Sequence, residues 1–413
     1  MLREIRQSTS IFDIFESIGC KWFQKATNRS LHDISSNTDD IYVNGFVALY
    51  KDISSPAIIN DTHKVLKRSV ISQIPPLNDF LAPKNPIVLC HGLSGFDRLI
   101  LIPSISQLLL MIRNSMNTDD INNFMEFDEN IHDGLIEVDY WNGIRGRLED
   151  KGCTVFTAKV PSFGCIEERA MALNEFIEKE TSRLKKDHRK SDIYNNKDNQ
   201  SIKANIPFDE GDKIKLNLIS HSMGGLDARY MIALIPNKNY EVASLTTIST
   251  PHHGSEMANY VVDQFQDFKQ NSILKDTPSL LPKCIYQLTT YYMKYFNATV
   301  PDDSKVAYYS YGCYFVPKWY NFFYPTWHIV YKLSNGEPND GMVTVKSSKW
   351  GQYMYTLSNT DHMDIINWKN QMEMDFSQLV PSFDDKPRLK IEPKIDAINF
   401  YLMIVNDLAQ KGF

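Results

Sequence analysis

No apolar run in this 413-residue chain approaches the ~18 residues that cross a bilayer, so any contact with lipid has to be made through a face or a lid. Basic excess is missing as well: 44 Lys and Arg stand against 50 Asp and Glu, for a net charge of −6. That removes the electrostatic footprint of a nucleic-acid binder and disfavours acidic headgroups. Cysteine is scarce. Cys20, Cys90, Cys153, Cys165, Cys284 and Cys313 are scattered, without C-x-x-C or metal-ligand spacing, so no zinc site is expected. Buried free thiols are the default, and an oxidising compartment would still permit disulfides. There is no internal repeat.

What is present is enough apolar sequence, 43%, for one large α/β domain, placed at residues 84–413 behind an N-terminal extension over 1–83. The first 30 residues carry Arg3, Arg6, Lys21, Lys25 and Arg29, with Ile11, Phe15, Ile18 and Trp22 on one helical face. This is the pattern of an organelle presequence, although Glu4, Asp13 and Glu16 suit an ordinary amphipathic surface helix. No 7–15-residue apolar core follows the charges, which argues against a secretory signal.

Regular patterning starts at Pro86. PIVLC reads as a strand, LIPSISQLLLMI as a helix, and 116–134 as a polar surface excursion. GLIEVDYWNGIRGRLEDKGCTVFTAKV supplies a helix and a strand, and CIEERAMALNEFIEKETSRLKK a long helix with acids first and bases last. A polar insert over 186–211 follows, then the strand KIKLNLIS, the segment HSMGG, the helix GLDARYMIALI and the strand VASLTTIST. Strands alternating with helices predict an α/β fold with a mostly parallel central sheet and helices on both faces.

Ser222 lies between strand and helix among small residues, where a nucleophile elbow would hold it. Ser220 takes the place of the usual first glycine and Gly224 supplies the second, so the expected turn is tight. A serine there is also what an ordinary helix N-cap shows. A serine hydroxyl becomes a nucleophile when an imidazole takes its proton, a carboxylate orients that imidazole and backbone N–H groups hold the oxyanion. In chain order the acid and then the histidine follow the serine. His362, in DHMDIINW after the last strand, is the candidate base; His252 and His253 come too soon for an acid to intervene. Asp340, in the turn NDGMVTV, is preferred as acid over Asp361 and Asp364, which share the His362 loop. Upstream, His91-Gly92 follows the first core strand as an oxyanion loop does, making Leu93 and Met223 the candidate N–H donors and His91 a brace. Met257, Tyr260, Val261, Phe265 and Phe268 form an apolar stripe ahead of YQLTTYYMKYFN, so the region 255–300 reads either as core or as a helical lid.

HGLSGFD, HSMGGLDARY, TTISTPHHGSE, NDGMV and DHMDIINW, in this order, resemble the bacterial triacylglycerol lipases of the Pseudomonas and Burkholderia type and, more closely, their mitochondrial relatives in budding yeasts. The likeness covers roughly residues 84–413, apart from the insert. It implies an α/β-hydrolase fold with a mobile lid, Ser222, His362 and Asp340 as the triad, a lipid ester of the acylglycerol type as substrate, and a mitochondrial location, with the cytoplasm as alternative. The bacterial enzymes hold calcium between two aspartates. Asp364 matches one, but no aspartate lies between Asp303 and Asp340 for the other, so no metal and no cofactor are expected and Asp364 is read as bracing the histidine loop. A phospholipase, general carboxylesterase or acyltransferase on the same fold is the alternative within enzymes, and a non-catalytic lipid- or partner-binding protein the alternative outside them.

Overall fold

The computed structural model describes residues 70–74, 77, 79–93, 98–102, 136–194, 213–270, 281–317, 321–368 and 395–413. These fall within the compact unit Arg68–Phe413. The amphipathic stretch expected in the first 30 residues, with Cys20, lies outside the described residues.

A seven-stranded sheet forms the centre, built from β1 (Val70–Ile71), β2 (Ile87–Cys90), β5 (Val155–Thr157), β6 (Ile214–His221), β7 (Tyr240–Ile248), β8 (Ala307–Tyr314) and β9 (Gln352–Ser358). The strand order is β1-β9-β8-β7-β6-β2-β5, and every pairing is parallel. The sheet thus reaches back to Val70, and residues 81 and 84 are tied to the C-terminus through Leu81 N–H to Asn406 Oδ1 and Lys84 N–H to the Phe413 carbonyl.

Period-two alternation decides which face each side chain serves. Ile87 and Leu89 of β2 join one core with Ile144 and Leu148 of α1 (Ile144–Asp150) and with Phe400, Ile404 and Leu408 of α8 (Ala397–Gln410). Val88 and Cys90 join the opposite core with Ala170, Leu173 and Ile177 of α2 (Ile166–Tyr194) and Ala228 and Met231 of α3 (Gly224–Leu234). β2 is apolar throughout, as burial on both faces favours, whereas β6 alternates apolar with polar residues and buries Asn217, Ser220 and His221 as well.

α2 begins where expected, with Glu168 reaching back to the Cys165 N–H at 2.9 Å as a capping box does. It continues to Tyr194, so its last turns occupy residues expected to belong to the polar insert. Lys and Arg, which recur there, are straight-chain residues that lose little rotamer freedom in a helix. Another departure is a two-stranded antiparallel sheet of β3 (Arg98–Ile102) and β4 (Ile136–Asp139). Leu101 and Ile102, expected to open a helix, are strand residues; the rest of that expected helix lies outside the described residues. A short apolar run does not distinguish strand from helix by itself.

The 255–300 region holds α4 (Glu256–Gln270), α5 (Lys283–Gln287) and α6 (Thr290–Thr299). On α4 it is Ala258 and Val262 that are buried, while Met257, Tyr260, Val261 and Phe265 are only half-buried. α6 buries Met293 and Phe296 beside Met223 and Leu226 and leaves Tyr291 and Tyr295 exposed. α7 (Tyr324–Leu333) lies between β8 and β9 in the chain. Cys90, Cys153, Cys165, Cys284 and Cys313 are buried free thiols.

Candidate active site

The chain runs from β2 to β5 on one side of β2, then crosses to β6 on the other and steps outward through β7, β8 and β9. A crevice opens at the carboxyl ends of strands where the winding direction reverses, here between β2 and β6. His91-Gly92 follows β2 and Ser222 follows β6 directly, so the topology alone brings the two segments together.

Ser222 has φ of 53°, a left-handed backbone that a non-glycine residue rarely adopts. It is held there by its N–H to the Ile248 carbonyl at 3.0 Å and by Thr250 Oγ1 donating to its own carbonyl at 2.7 Å. The turn aims Oγ at His362, whose Nε2 is 3.0 Å away. On the far side of that ring, Nδ1 is 2.8 Å from Asp340 Oδ2. The second Asp340 oxygen accepts the N–H groups of Met342 at 3.0 Å and Val343 at 2.8 Å, and the His362 N–H donates to the Asp340 carbonyl at 2.9 Å. Asp340 is fully buried and His362 nearly so, which excludes water from the carboxylate and fixes the imidazole with Nδ1 protonated and Nε2 free to accept.

The oxyanion loop touches the elbow. A Cβ on Gly92 would stand 2.7 Å from Ser222 Cβ, and one on Gly224 would stand 2.6 Å from the His91 carbonyl oxygen. His91 braces this loop: its Nε2 accepts the Val160 N–H at 3.3 Å and its Nδ1 faces the Gly92 carbonyl at 2.9 Å. Leu93 and Met223 flank the same cleft, both meeting the apolar cluster beneath α6. Asp364 Oδ2 accepts the Asp361 N–H at 2.9 Å, while Asp361 Oδ1 accepts the N–H groups of Met363 and Asp364. The histidine loop is thereby pinned at its two carboxylates.

These residues do not fit a calcium ion. Asp364 is committed to the loop backbone, and among the described residues no group of three His, Cys, Asp or Glu side chains converges as a metal would need. His252 and His253 are outside the Ser222 constellation; His252 is buried, stacked on Trp350 and bonded to Thr247.

Several residues that shape the site are absent from the sequence reading. Arg169, on α2, is completely buried. It bonds Asp227 Oδ2 at 2.8 Å, the carbonyls of His91 at 2.9 Å and Gly92 at 3.1 Å, and that of Pro161 at 2.7 Å. One guanidinium thus ties the oxyanion loop to the elbow helix. Burial pushes the Asp227 carboxyl up to about 7 against the pull of Arg169; with the guanidinium at 2.8 Å, the ionised pair is the form the geometry supports. The signal was available, since Arg169 stands on the same face as Ile166, Leu173 and Ile177. Tyr140, His221 and Thr250 were also missed.

Known proteins agree in part and at different depths. A yeast triacylglycerol lipase 2, from Saccharomyces cerevisiae, is 50% identical over 349 residues, 83% of this chain and 97% of that protein. The triacylglycerol lipase of Burkholderia plantarii is 27% identical over 186 residues, 45% of this chain and 34% of that protein. The PGAP1-like alpha/beta domain matches residues 194–292. Among solved structures, the Staphylococcus hyicus lipase aligns with 81% of this chain and 98% of its own at 15% identity and a TM-score of 0.44.

Proposed function

We propose that Ser222, His362 and Asp340 carry the reaction of this chain, which belongs to the triacylglycerol lipase family and is a carboxylic ester hydrolase. The observation that carries the assignment is the continuous chain Ser222 Oγ to His362 Nε2 at 3.0 Å and His362 Nδ1 to Asp340 Oδ2 at 2.8 Å, starting from a serine at positive φ. Ser222 attacks the ester carbonyl as its proton passes to Nε2. The imidazolium so formed is stabilised by the buried Asp340 carboxylate, and the oxyanion rests on the N–H groups of Leu93 and Met223. His362 then gives the proton to the departing alcohol oxygen, and water, activated by the same ring, releases the acid from Ser222.

The substrate we propose is a triacylglycerol, as the name of the yeast relative states for that protein. The half-buried apolar row Met257, Tyr260, Val261 and Phe265 on α4 suits long acyl chains or a lipid surface. The test is Ser222→Ala in the full chain, assayed on emulsified triacylglycerol and with a fluorophosphonate probe. Loss of a triad nucleophile costs on the order of 10⁶ in kcat, so hydrolysis should fall to background and labelling should vanish with it. Labelling or hydrolysis that persists in Ser222→Ala overturns the assignment.

A further inference from the structure

Tyr140, directly after β4, is buried to 2% exposure. Its hydroxyl is a polar point shared by the oxyanion loop and the elbow. The Gly92 N–H donates to it at 2.7 Å, and His221 Nδ1 lies 2.6 Å away. A phenol has one proton to give. With Gly92 donating to the oxygen, that proton goes to His221 Nδ1; the reverse arrangement, Nδ1–H donating to Oη, would leave the phenolic proton buried without an acceptor. That makes His221 the neutral ring with its proton on Nε2, an atom that closes no hydrogen bond among the described residues and has only a minor interaction with the His362 backbone, so the short contact of Nδ1 with Tyr140 is what sets the tautomer.

That matters because of what His221 touches. Its ring lies 4.7 Å from the ring of His362, centroid to centroid, at a tilt of 43°. Burial and the charge that His362 acquires both hold the His221 pKa well below the ordinary histidine value, with a smaller opposing contribution from the His362 backbone. The other titratable neighbours on the Tyr140 side are His91, whose ring is 5.6 Å from the phenol, the Arg169–Asp227 pair, and Tyr401, whose buried phenol stays protonated. When His362 takes the Ser222 proton, a second charge on His221 would oppose it, because like charges a few ångströms apart in a buried site repel strongly.

We propose that the Tyr140 hydroxyl is a positioning group for acyl transfer: it holds His221 neutral against the face of the base, and it occupies the Gly92 N–H so that the loop presents Leu93 N–H to the oxyanion. The role rests on Ser222 and His362 acting as nucleophile and base. It differs from packing, since the ring could be kept and the hydroxyl removed without opening a cavity.

Tyr140→Phe in the full chain does this. On a soluble short-chain ester, kcat should fall about tenfold with KM within about twofold, the signature of an interaction made in the transition state. The acid limb of the kcat/KM profile should move to higher pH as His221 gains a proton more readily. Tyr401→Phe is the control. Tyr401 is a buried tyrosine reached through Trp141, and its hydroxyl has no hydrogen-bond partner among the described residues; kcat and acid limb of this variant should stay at wild-type values. A folded Tyr140→Phe with wild-type kcat and acid limb, beside an inactive Ser222→Ala, overturns the Tyr140 role and leaves the triad standing. An active Ser222→Ala overturns both. Should Tyr140→Phe not fold, imidazole ¹⁵N NMR of the wild-type chain decides: an Nε2–H His221 supports the role, and an Nδ1–H His221 overturns it.

Discussion

Gly224 constrains the elbow more than Ser220 does. Ser220 departs from the usual glycine, and a tighter turn was the natural expectation, yet it is a strand residue paired in register with Cys90 on one side and Thr247 on the other. Its side chain sits in the ladder, before the chain turns. The close approach comes after Ser222, where a Cβ on Gly224 would meet the carbonyl oxygens of His91 at 2.6 Å and Cys90 at 2.7 Å. Both are backbone atoms that carry the oxyanion loop, and they yield less readily than a side-chain tip. Gly224→Ala should therefore cost about 1–3 kcal/mol of stability, as overpacking does, and lower kcat by pushing the loop off Ser222. Chemical denaturation with parallel kinetics measures both; an alanine variant of unchanged stability and rate would mean that the two segments are not in this contact. The small residue at 224 was legible from the motif, but the reason for it was not, because the partner is a backbone more than 130 positions upstream.

At the scale of elements, local pattern told most where one strand or helix suffices and least where two distant ones meet. β2, β6, β7 and the helices after β6 and β7 follow from apolar runs, periodicity and caps, and the chain order of Ser222, Asp340 and His362 puts them after β6, after β8 and after β9. The β3–β4 pairing was invisible, since its strands are separated by more than 30 residues, β3 is a short apolar run that fits a helix as well, and β4 is only four residues long. The Arg169 clamp was invisible for a related reason: one residue of α2 bonds α3 and two loops. α2 is thus part of the active-site frame, acting on the elbow through α3 and the oxyanion loop. Arg169→Met keeps helix propensity and length while leaving Asp227 without its buried partner. Removing one member of a buried pair typically costs about 3–5 kcal/mol. The expected result is a loss of that size in urea unfolding together with a reduced kcat. A variant as stable as the parent would show that the pair contributes no more than an apolar contact.

At the scale of the molecule, buried histidines among the described residues predict a loss of stability in acid. His221 and His252 are fully buried, and burial holds both well below the ordinary pKa, with neighbouring His362 and Arg229 respectively adding to the effect. His328, on α7 against Tyr324 and Trp327, has both ring nitrogens without a hydrogen-bond partner among the described residues, and burial lowers its pKa from 6.5 to about 4. A depressed histidine pKa means that the unfolded chain binds the proton first. Nothing is lost above pH 6.5, and stability drains away as pH falls from there towards 4. For His328 alone that amounts to about 3 kcal/mol, since each tenfold difference in proton affinity between folded and unfolded chain is worth about 1.4 kcal/mol. Asp227 and Glu256 act in the opposite sense, since burial raises both carboxyls and lets the folded state take up a proton before the unfolded one. Two carboxyls set against four histidines, His253 being lowered as well, leave the balance among the described residues with the histidines, so unfolding free energy should decline below pH 6.5. His328→Phe keeps an aromatic ring against Tyr324 and Trp327 while removing the titration. Urea melts of both proteins between pH 7 and 4 should give the variant a shallower decline and no change at pH 7 that depends on protonation. Parallel curves would mean that His328 contributes no measurable share and would leave the acid lability to the other buried histidines, His221 beside the Ser222 elbow and His252 stacked on Trp350.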